Sequence, residues 1–236
     1  MKLLISPKDE VEALEAALGG ADIIDIKNPG EGSLGANFPW VIKKIKEIAD
    51  LKDLEVSATI GDLNLPGTAS LAALGAASCG IDYVKVGLKV DSEKKAKAVA
   101  KAVVLAVKEY NSETGVVIAG YADFSKNNLM DCMKIPEIGA FAGADFAMLD
   151  TITKKNLNLF NYLSIDELEK FTNETHDSGL SAALGGSLNK EHIKPLCKIG
   201  VDVIGIRGAA CELNDRNGTI KKEKVSELKN IIKGLK

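Results

Sequence analysis

Short apolar runs recur along the chain at a regular spacing. Gly20-Ala21-Asp22 leads into Ile23-Ile24-Asp25-Ile26-Lys27, and Gly80-Ile81-Asp82 into Tyr83-Val84-Lys85-Val86. Gly143-Ala144-Asp145 leads into Phe146-Ala147-Met148-Leu149-Asp150, and Gly200-Val201-Asp202 into Val203-Ile204-Gly205-Ile206-Arg207. The four glycines lie 60, 63 and 57 residues apart, close to two βα units each. Each glycine suits the left-handed end of a helix, and each run is long enough for a buried parallel strand. Four more strands are predicted between them, at 3–6, 56–60, 116–120 and 181–184.

Helical patterns fill the gaps. Ser6-Pro7-Lys8-Asp9 reads as an N-cap with proline in the first turn and an acid at N3, opening a helix through Leu18. Ser164-Ile165-Asp166-Glu167 has the form of a capping box before a helix that ends near His176. Residues 94–110 and 221–233 carry apolar side chains at helical period. Strand and helix thus alternate eight times with no linker. The prediction is one (β/α)₈ TIM barrel domain over residues 1–236, with an open doubly wound sheet as the alternative.

Composition narrows the function classes. Hydrophobic residues make up 46% and charged residues 27%, which fits a folded cytoplasmic domain. A net charge of −3 gives no electrostatic reason to expect nucleic acid or an anionic membrane as partner. The lysine runs are interleaved with acids and read as solvated helix faces. No run reaches transmembrane length, and the apolar stretch before Pro7 is too short for a signal peptide. Cys79, Cys132, Cys197 and Cys211 lack C-x-x-C spacing, so neither a zinc site nor a disulfide framework is expected. His176 and His192 are the only histidines, both expected on exposed helical surface. Histidine acid–base chemistry and metal ligation are therefore not expected.

Side-chain parity points to a different chemistry. Residues of equal parity in a strand face the same side. Counted from the repeated Asp, Lys27, Asp150 and Arg207 lie five residues on, while Asp25 and Lys85 lie three on. All these offsets are odd, so the side chains should share the inner face and project toward the barrel mouth. An interior ammonium is costly unless it is paired or deprotonated. Two lysines in one cavity would depress the pKa of one of them, giving an amine able to attack a carbonyl while the other moves protons. The plainer alternative is a structural salt-bridge cluster with Asp25 and Asp150.

The loops add phosphate chemistry. Gly185-Gly186-Ser187 follows the seventh strand with Asn189 at a helix start, and Arg207-Gly208 follows the eighth. Barrels often bind phosphate there through glycine amides and a helix N-terminus, and Arg207 would add a charge-assisted bond. Lys154, four residues past Asp150, is either a second phosphate ligand or solvated surface. The long stretches 28–38 and 121–134 would suit loops that close over substrate.

Longer motifs carry a family resemblance. They are Asp25-Ile26-Lys27-Asn28-Pro29 with Gly32-Ser33-Leu34-Gly35-Ala36-Asn37, Ser57-Ala58-Thr59-Ile60-Gly61-Asp62, Tyr83-Val84-Lys85-Val86-Gly87, Ala119-Gly120-Tyr121-Ala122-Asp123, Met148-Leu149-Asp150-Thr151 and Arg207-Gly208-Ala209-Ala210-Cys211. Over nearly its whole length the chain resembles the (5-formylfuran-3-yl)methyl phosphate synthases of methanofuran biosynthesis. The resemblance implies a carbon–oxygen lyase that condenses two molecules of glyceraldehyde 3-phosphate into a furan aldehyde phosphate. It implies Lys27 as the Schiff-base lysine, Lys85 as proton donor or acceptor, and Asp150 and Lys154 in proton transfer and substrate positioning; Asp25, on the same inner face by strand parity, is expected to join this catalytic set. No metal or organic cofactor would be required. Phosphorylated trioses are the expected partners, together with further copies of the chain in a homo-oligomer. The competing functions are an ordinary class I sugar-phosphate aldolase, an isomerase with a carboxylate base, and a non-catalytic phosphometabolite-binding barrel.

Overall fold

The computed structural model describes residues 1–153 and 157–235, and eight parallel strands close into one barrel in chain order. They are β1 (Lys2–Ile5), β2 (Ile23–Ile26), β3 (Glu55–Leu63), β4 (Tyr83–Leu88), β5 (Gly115–Tyr121), β6 (Phe146–Asp150), β7 (Ser181–Leu184) and β8 (Val203–Ile206). The helices outside are α1 (Glu10–Gly19), α2 (Pro39–Asp50), α3 (Pro66–Ala77), α4 (Glu93–Tyr110), α5 (Ile135–Ala142), α6 (Ile165–Asp177), α7 (Lys190–Lys198) and α8 (Lys222–Lys233). The closed barrel is the predicted architecture, and the open-sheet alternative is excluded. No helix of the described residues is long and apolar enough to cross a membrane.

The repeated Gly-x-Asp closes the bottom of the barrel. Gly20, Gly80, Gly143 and Gly200 all take positive φ, between 78 and 88°, where a glycine turns the chain without a Cβ penalty. The Asp two residues later then ties its strand to the preceding one. The amides of Leu3, Val56, Val116 and Ala182 donate to Asp22, Asp82, Asp145 and Asp202 at 2.7, 2.7, 2.7 and 2.8 Å. The amides of the four aspartates donate back to the carbonyls of the same four residues. These groups would otherwise be orphaned at the strand starts.

Above this ring the even strands supply three interior levels. The lowest holds Ile23, Tyr83, Phe146 and Val203, which surround an apolar space with Leu4, Val117 and Ala183. Tyr83 and Phe146 meet edge to face, 5.4 Å between ring centres. Two residues on are Asp25, Lys85, Met148 and Gly205, and two further are Lys27, Gly87, Asp150 and Arg207. The interior thus runs from apolar at the bottom to charged at the mouth. The second apolar layer lies between strands and helices, where Ile24, Val84, Ala147 and Ile204 point outward into the main core.

Three local expectations change. The first helix begins at Asp9, whose side chain accepts from the amide of Glu12, because Ser6 is turned inward and occupied in the barrel. β3 runs on to Leu63 through an irregular register at Gly61, where φ is 113°. A glycine there bends the strand rather than ending it. His192 is half-buried, stacked on Phe160 at 4.7 Å, with its Nδ1 accepting from the amide of Asn189. Burial lowers its pKa below the usual 6.5, so the ring is a neutral cap for α7. The capping box at Ser164 and Glu167 is present as expected.

Candidate active site

The charged residues of the upper levels meet around one buried carboxylate. Asp25 is 0% exposed, and its Oδ1 lies 2.6 Å from the Lys85 ammonium. Ser57 donates to the same oxygen at 2.6 Å, and Ser6 donates to Oδ2 at 2.9 Å. Burial alone would raise the carboxyl pKa, but Lys85 and Lys27 outweigh it and hold Asp25 below its usual 3.8. Lys85 is 1% exposed and Lys27, one level nearer the mouth, 8%. Lys85 is therefore the more deeply buried of the two lysines and Lys27 the more accessible.

All five parity residues line one cavity of about 640 Å³, together with Gly185, Gly186, Ser187 and Gly208. That volume suits a small metabolite. Asp150 caps β6 with its carboxylate accepting from the amide of Thr151 at 2.7 Å. A Cβ at Gly185 would stand 3.0 Å from Met148 and 3.5 Å from Asp150, so glycine there leaves room for the carboxylate. Gly186 and Ser187 both take positive φ, 99 and 53°. Among the described residues, the amides of Gly186, Ser187, Gly208 and Ala209 donate to no other backbone group, whereas Gly185 donates to Leu149. Amides without a backbone acceptor, on residues that line a cavity, are the donor type that anion-binding turns use.

Arg207 lines the cavity but spends its donors elsewhere. Its guanidinium grips Glu12 at 2.7 and 3.2 Å, donates to the carbonyl of Ser6 at 2.7 Å, and reaches the carbonyls of Arg216 at 2.9 Å and Gly218 at 3.5 Å. These five bonds use its five N–H groups. The expected guanidinium–phosphate bond finds no donor left at Arg207. Lys154 lies outside the described residues.

Comparison with known proteins gives the site its context. The model of the family described as 4-HFC-P synthase matches residues 3–229. The chain belongs to this family. The (5-formylfuran-3-yl)methyl phosphate synthase of Methanobrevibacter smithii is 53% identical over 234 residues, covering 98% of each chain. That of Methanocaldococcus jannaschii is 52% identical over 236 residues, covering 99% of this chain and all of its own. A 3-hexulose-6-phosphate synthase superposes with a TM-score of 0.69 at 21% identity, over 98% of this chain and 100% of that one, a likeness of fold alone.

Several residues of this 4-HFC-P synthase family member carry the site without having been singled out as chemical groups. Ser6 and Ser57 satisfy Asp25 from neighbouring strands. Asp62 accepts from the amides of Ser33 and Leu34 and from the hydroxyl of Tyr121. The same region is held by Thr59, which donates to the carbonyl of Gly35 at 2.7 Å, and by Ser33, which donates to that of Thr151 at 2.7 Å. The loop after β2 is thus fastened across the barrel to β3 and to the end of β6. Tyr121 is buried, and burial with the Asp62 charge holds its pKa well above 10, so it is a hydrogen-bond donor rather than a base. Gly87 makes room for it: a Cβ there would collide with the Tyr121 hydroxyl. Asp123 accepts from the amides of Ile152 and Thr153 at 2.9 and 2.8 Å, fixing the loop after Asp150. Strand parity marked the inward positions, but the partners come from strands far away in sequence.

Proposed function

We propose that this protein is an enzyme that condenses two molecules of glyceraldehyde 3-phosphate into (5-formylfuran-3-yl)methyl phosphate, releasing one phosphate and two waters, in methanofuran biosynthesis. The observation that carries the reading is the convergence of Lys27 and Lys85 on the buried carboxylate of Asp25 at the floor of the cavity. The near-full-length similarity to the named synthases supports the substrate and product. Lys27 attacks the aldehyde carbon of one triose and loses water to give an iminium, which acidifies the neighbouring carbon. Lys85, kept at that level by Asp25, moves the protons. The enamine expels phosphate to leave a three-carbon dicarbonyl unit still bound to Lys27. Its terminal carbon, deprotonated, adds to the C2 carbonyl of the second triose in its keto form, and ring closure with loss of two waters gives the furan aldehyde. Asp150 assists proton transfer at the mouth, with Lys154 carried over from the family resemblance. The amides of Gly186, Ser187 and Gly208 receive phosphate oxygens, as in other barrels.

The reaction is placed in the cytoplasm, where the free thiols of Cys79, Cys132, Cys197 and Cys211 would persist. A homo-oligomer belongs to the same reading, supported by exposed Phe38 and Trp40 at the start of α2 and by exposed Leu65 and Leu71, at the start of and within α3, a helix with no charged residue. The decisive test is borohydride trapping with glyceraldehyde 3-phosphate, followed by intact mass and peptide mapping. One adduct on the Lys27 peptide is expected, together with near-ultraviolet absorbance from the conjugated furan aldehyde. Lys27→Arg should lose both, because a guanidinium keeps its charge but is no nucleophile. Furan formation with no adduct on any lysine would refute the covalent step. An adduct without furan absorbance would leave an ordinary aldolase.

A further inference from the structure

The chain has only two arginines among its 30 basic residues, and they stand nine positions apart on the segment between β8 and α8. Lysine serves as the cation everywhere else, so the two positions that use a guanidinium invite a reason. Arg207 has one, the fork on Glu12. Arg216 has none among the described residues. It is half-buried on the wall of the cavity that holds Lys27, Lys85 and Asp150. Its guanidinium makes no hydrogen bond or ion pair with any described residue. Removing a guanidinium from water without replacing its hydrogen bonds is unfavourable. Burial pulls its pKa below the usual 12.5, Asp150 opposes this, and Arg207 adds to it; the group stays protonated.

The backbone around Arg216 is built to hold that position. Glu212 donates to the carbonyl of Thr219 at 2.9 Å, Lys221 to that of Ala210 at 3.0 Å, and Cys211 pairs antiparallel with Ile220. The segment is therefore a closed loop folded beside the barrel mouth. Arg207 pins it from below by donating Nε to the carbonyl of Arg216. At its tip Leu213 and Asn214 both take positive φ, 55 and 57°. For leucine this conformation is unfavourable, and the side chain is 90% exposed, so its burial does not offset the cost. Strain of this kind persists where surrounding structure imposes it, often at ligand clamps. Arg216 also rises directly over the amides of the β8 turn: a Cβ on Gly208 would lie 3.7 Å from the Arg216 Cβ.

We propose that Arg216 is the anion-binding side chain of this cavity, closing on a substrate phosphate seated at the amides of Gly186, Ser187, Gly208 and Ala209. This inference rests on the phosphorylated-substrate reading, and it assigns to Arg216 the charge that strand parity led one to expect from Arg207. A guanidinium offers two parallel N–H bonds to a phosphate edge, which an ammonium cannot.

The test uses inorganic phosphate as probe on the whole protein. Phenylglyoxal, which modifies accessible guanidinium groups, should label Arg216 and leave Arg207 largely unlabelled, and saturating phosphate should protect Arg216. Calorimetric titration should show phosphate affinity falling roughly tenfold to a hundredfold in Arg216→Gln, the loss expected for a hydrogen bond to a charged group. Arg216→Lys should recover only part of it. With glyceraldehyde 3-phosphate, KM should rise more than kcat falls. Phosphate affinity within twofold of wild type in Arg216→Gln, or labelling of Arg216 unaffected by phosphate in the wild type, would overturn the assignment. The labelling arm needs no variant to fold. Neither arm depends on furan formation: protection and loss of affinity without furan product would keep the anion site and reject the proposed reaction, and the converse would do the opposite.

Discussion

Lys85–Asp25 and Arg207–Glu12 are both buried ion pairs of this barrel, and their contrast separates a pair open to a cavity from one closed within the scaffold. Lys85–Asp25 spans 2.6 Å and Arg207–Glu12 spans 2.7 Å, with every side chain nearly inaccessible. In both, burial would raise the carboxyl pKa and the paired cation lowers it below its ordinary value. The difference lies in what surrounds them. Arg207 has all five donors directed at protein groups, so the pair locks β8 to α1 and to the loop beyond and has nothing left to offer a ligand. Lys85 and Asp25 sit below Lys27 on the floor of a cavity, with two hydroxyls tuning the carboxylate. A buried ion pair is weak evidence for either stability or function by itself. Its unspent bonding capacity and its access to open space decide which it serves.

The largest expected effect breaks the pair on the cavity floor. Lys85→Ala should lower turnover about 10²–10⁴-fold, the usual contribution of a positioned acid–base group. The barrel should remain folded, because Asp25 keeps the hydroxyls of Ser6 and Ser57 and the field of Lys27. Steady-state rates and far-ultraviolet circular dichroism check this together. Near-normal turnover in a folded variant would reduce Lys85–Asp25 to the same status as Arg207–Glu12.

Glu12→Gln makes the opposite cut. It leaves a buried guanidinium without its counter-charge, which should destabilise the fold by about 3–5 kcal/mol. Turnover per folded molecule at saturating substrate should change little. Denaturant unfolding, paired with kcat measured well below the transition, tests the split. A stable Glu12→Gln variant that loses kcat would mean that the Arg207 pair takes part in the chemistry.

Acid titration offers the smallest and sharpest comparison. Asp25 and Glu12 are held below their ordinary 3.8 and 4.5, so the folded state binds fewer protons than the unfolded state in that range. Their stabilisation is complete above about pH 4.5 and is lost as pH falls through the folded-state values. The thermal midpoint should therefore decline below about pH 4.5, and Glu12→Gln should show a shallower decline from its lower starting point. A wild-type midpoint that rises on acidification would contradict both assignments.

Much of this architecture was legible in the chain because its causes are local. The Gly-x-Asp repeat encodes a left-handed helix end and an acceptor for the neighbouring strand's amide, and both are fixed within three residues. Strand parity follows from backbone geometry, so Asp25, Lys27, Lys85, Asp150 and Arg207 could be placed on one inner face before any contact was known. The third strand runs beyond its predicted end at residue 60 because Gly61, at positive φ, kinks it and lets it continue to Leu63. Ser6 misled because its local motif favours a cap, while a carboxylate 19 residues away competes for its hydroxyl.

The sequence by itself determined the barrel, its repeat and the inward set of charges, because those depend on periodicities of two residues and of about sixty. Only the tertiary structure decided how the charges were shared. Glu12 and Arg207 are 195 positions apart, and nothing in either neighbourhood marks the other. The height at which each inward side chain meets its partner depends on the stagger of strands around the closed barrel, which no single strand encodes. Closure made Lys85 part of the cavity floor, committed Arg207 to the scaffold and left Arg216 facing the mouth.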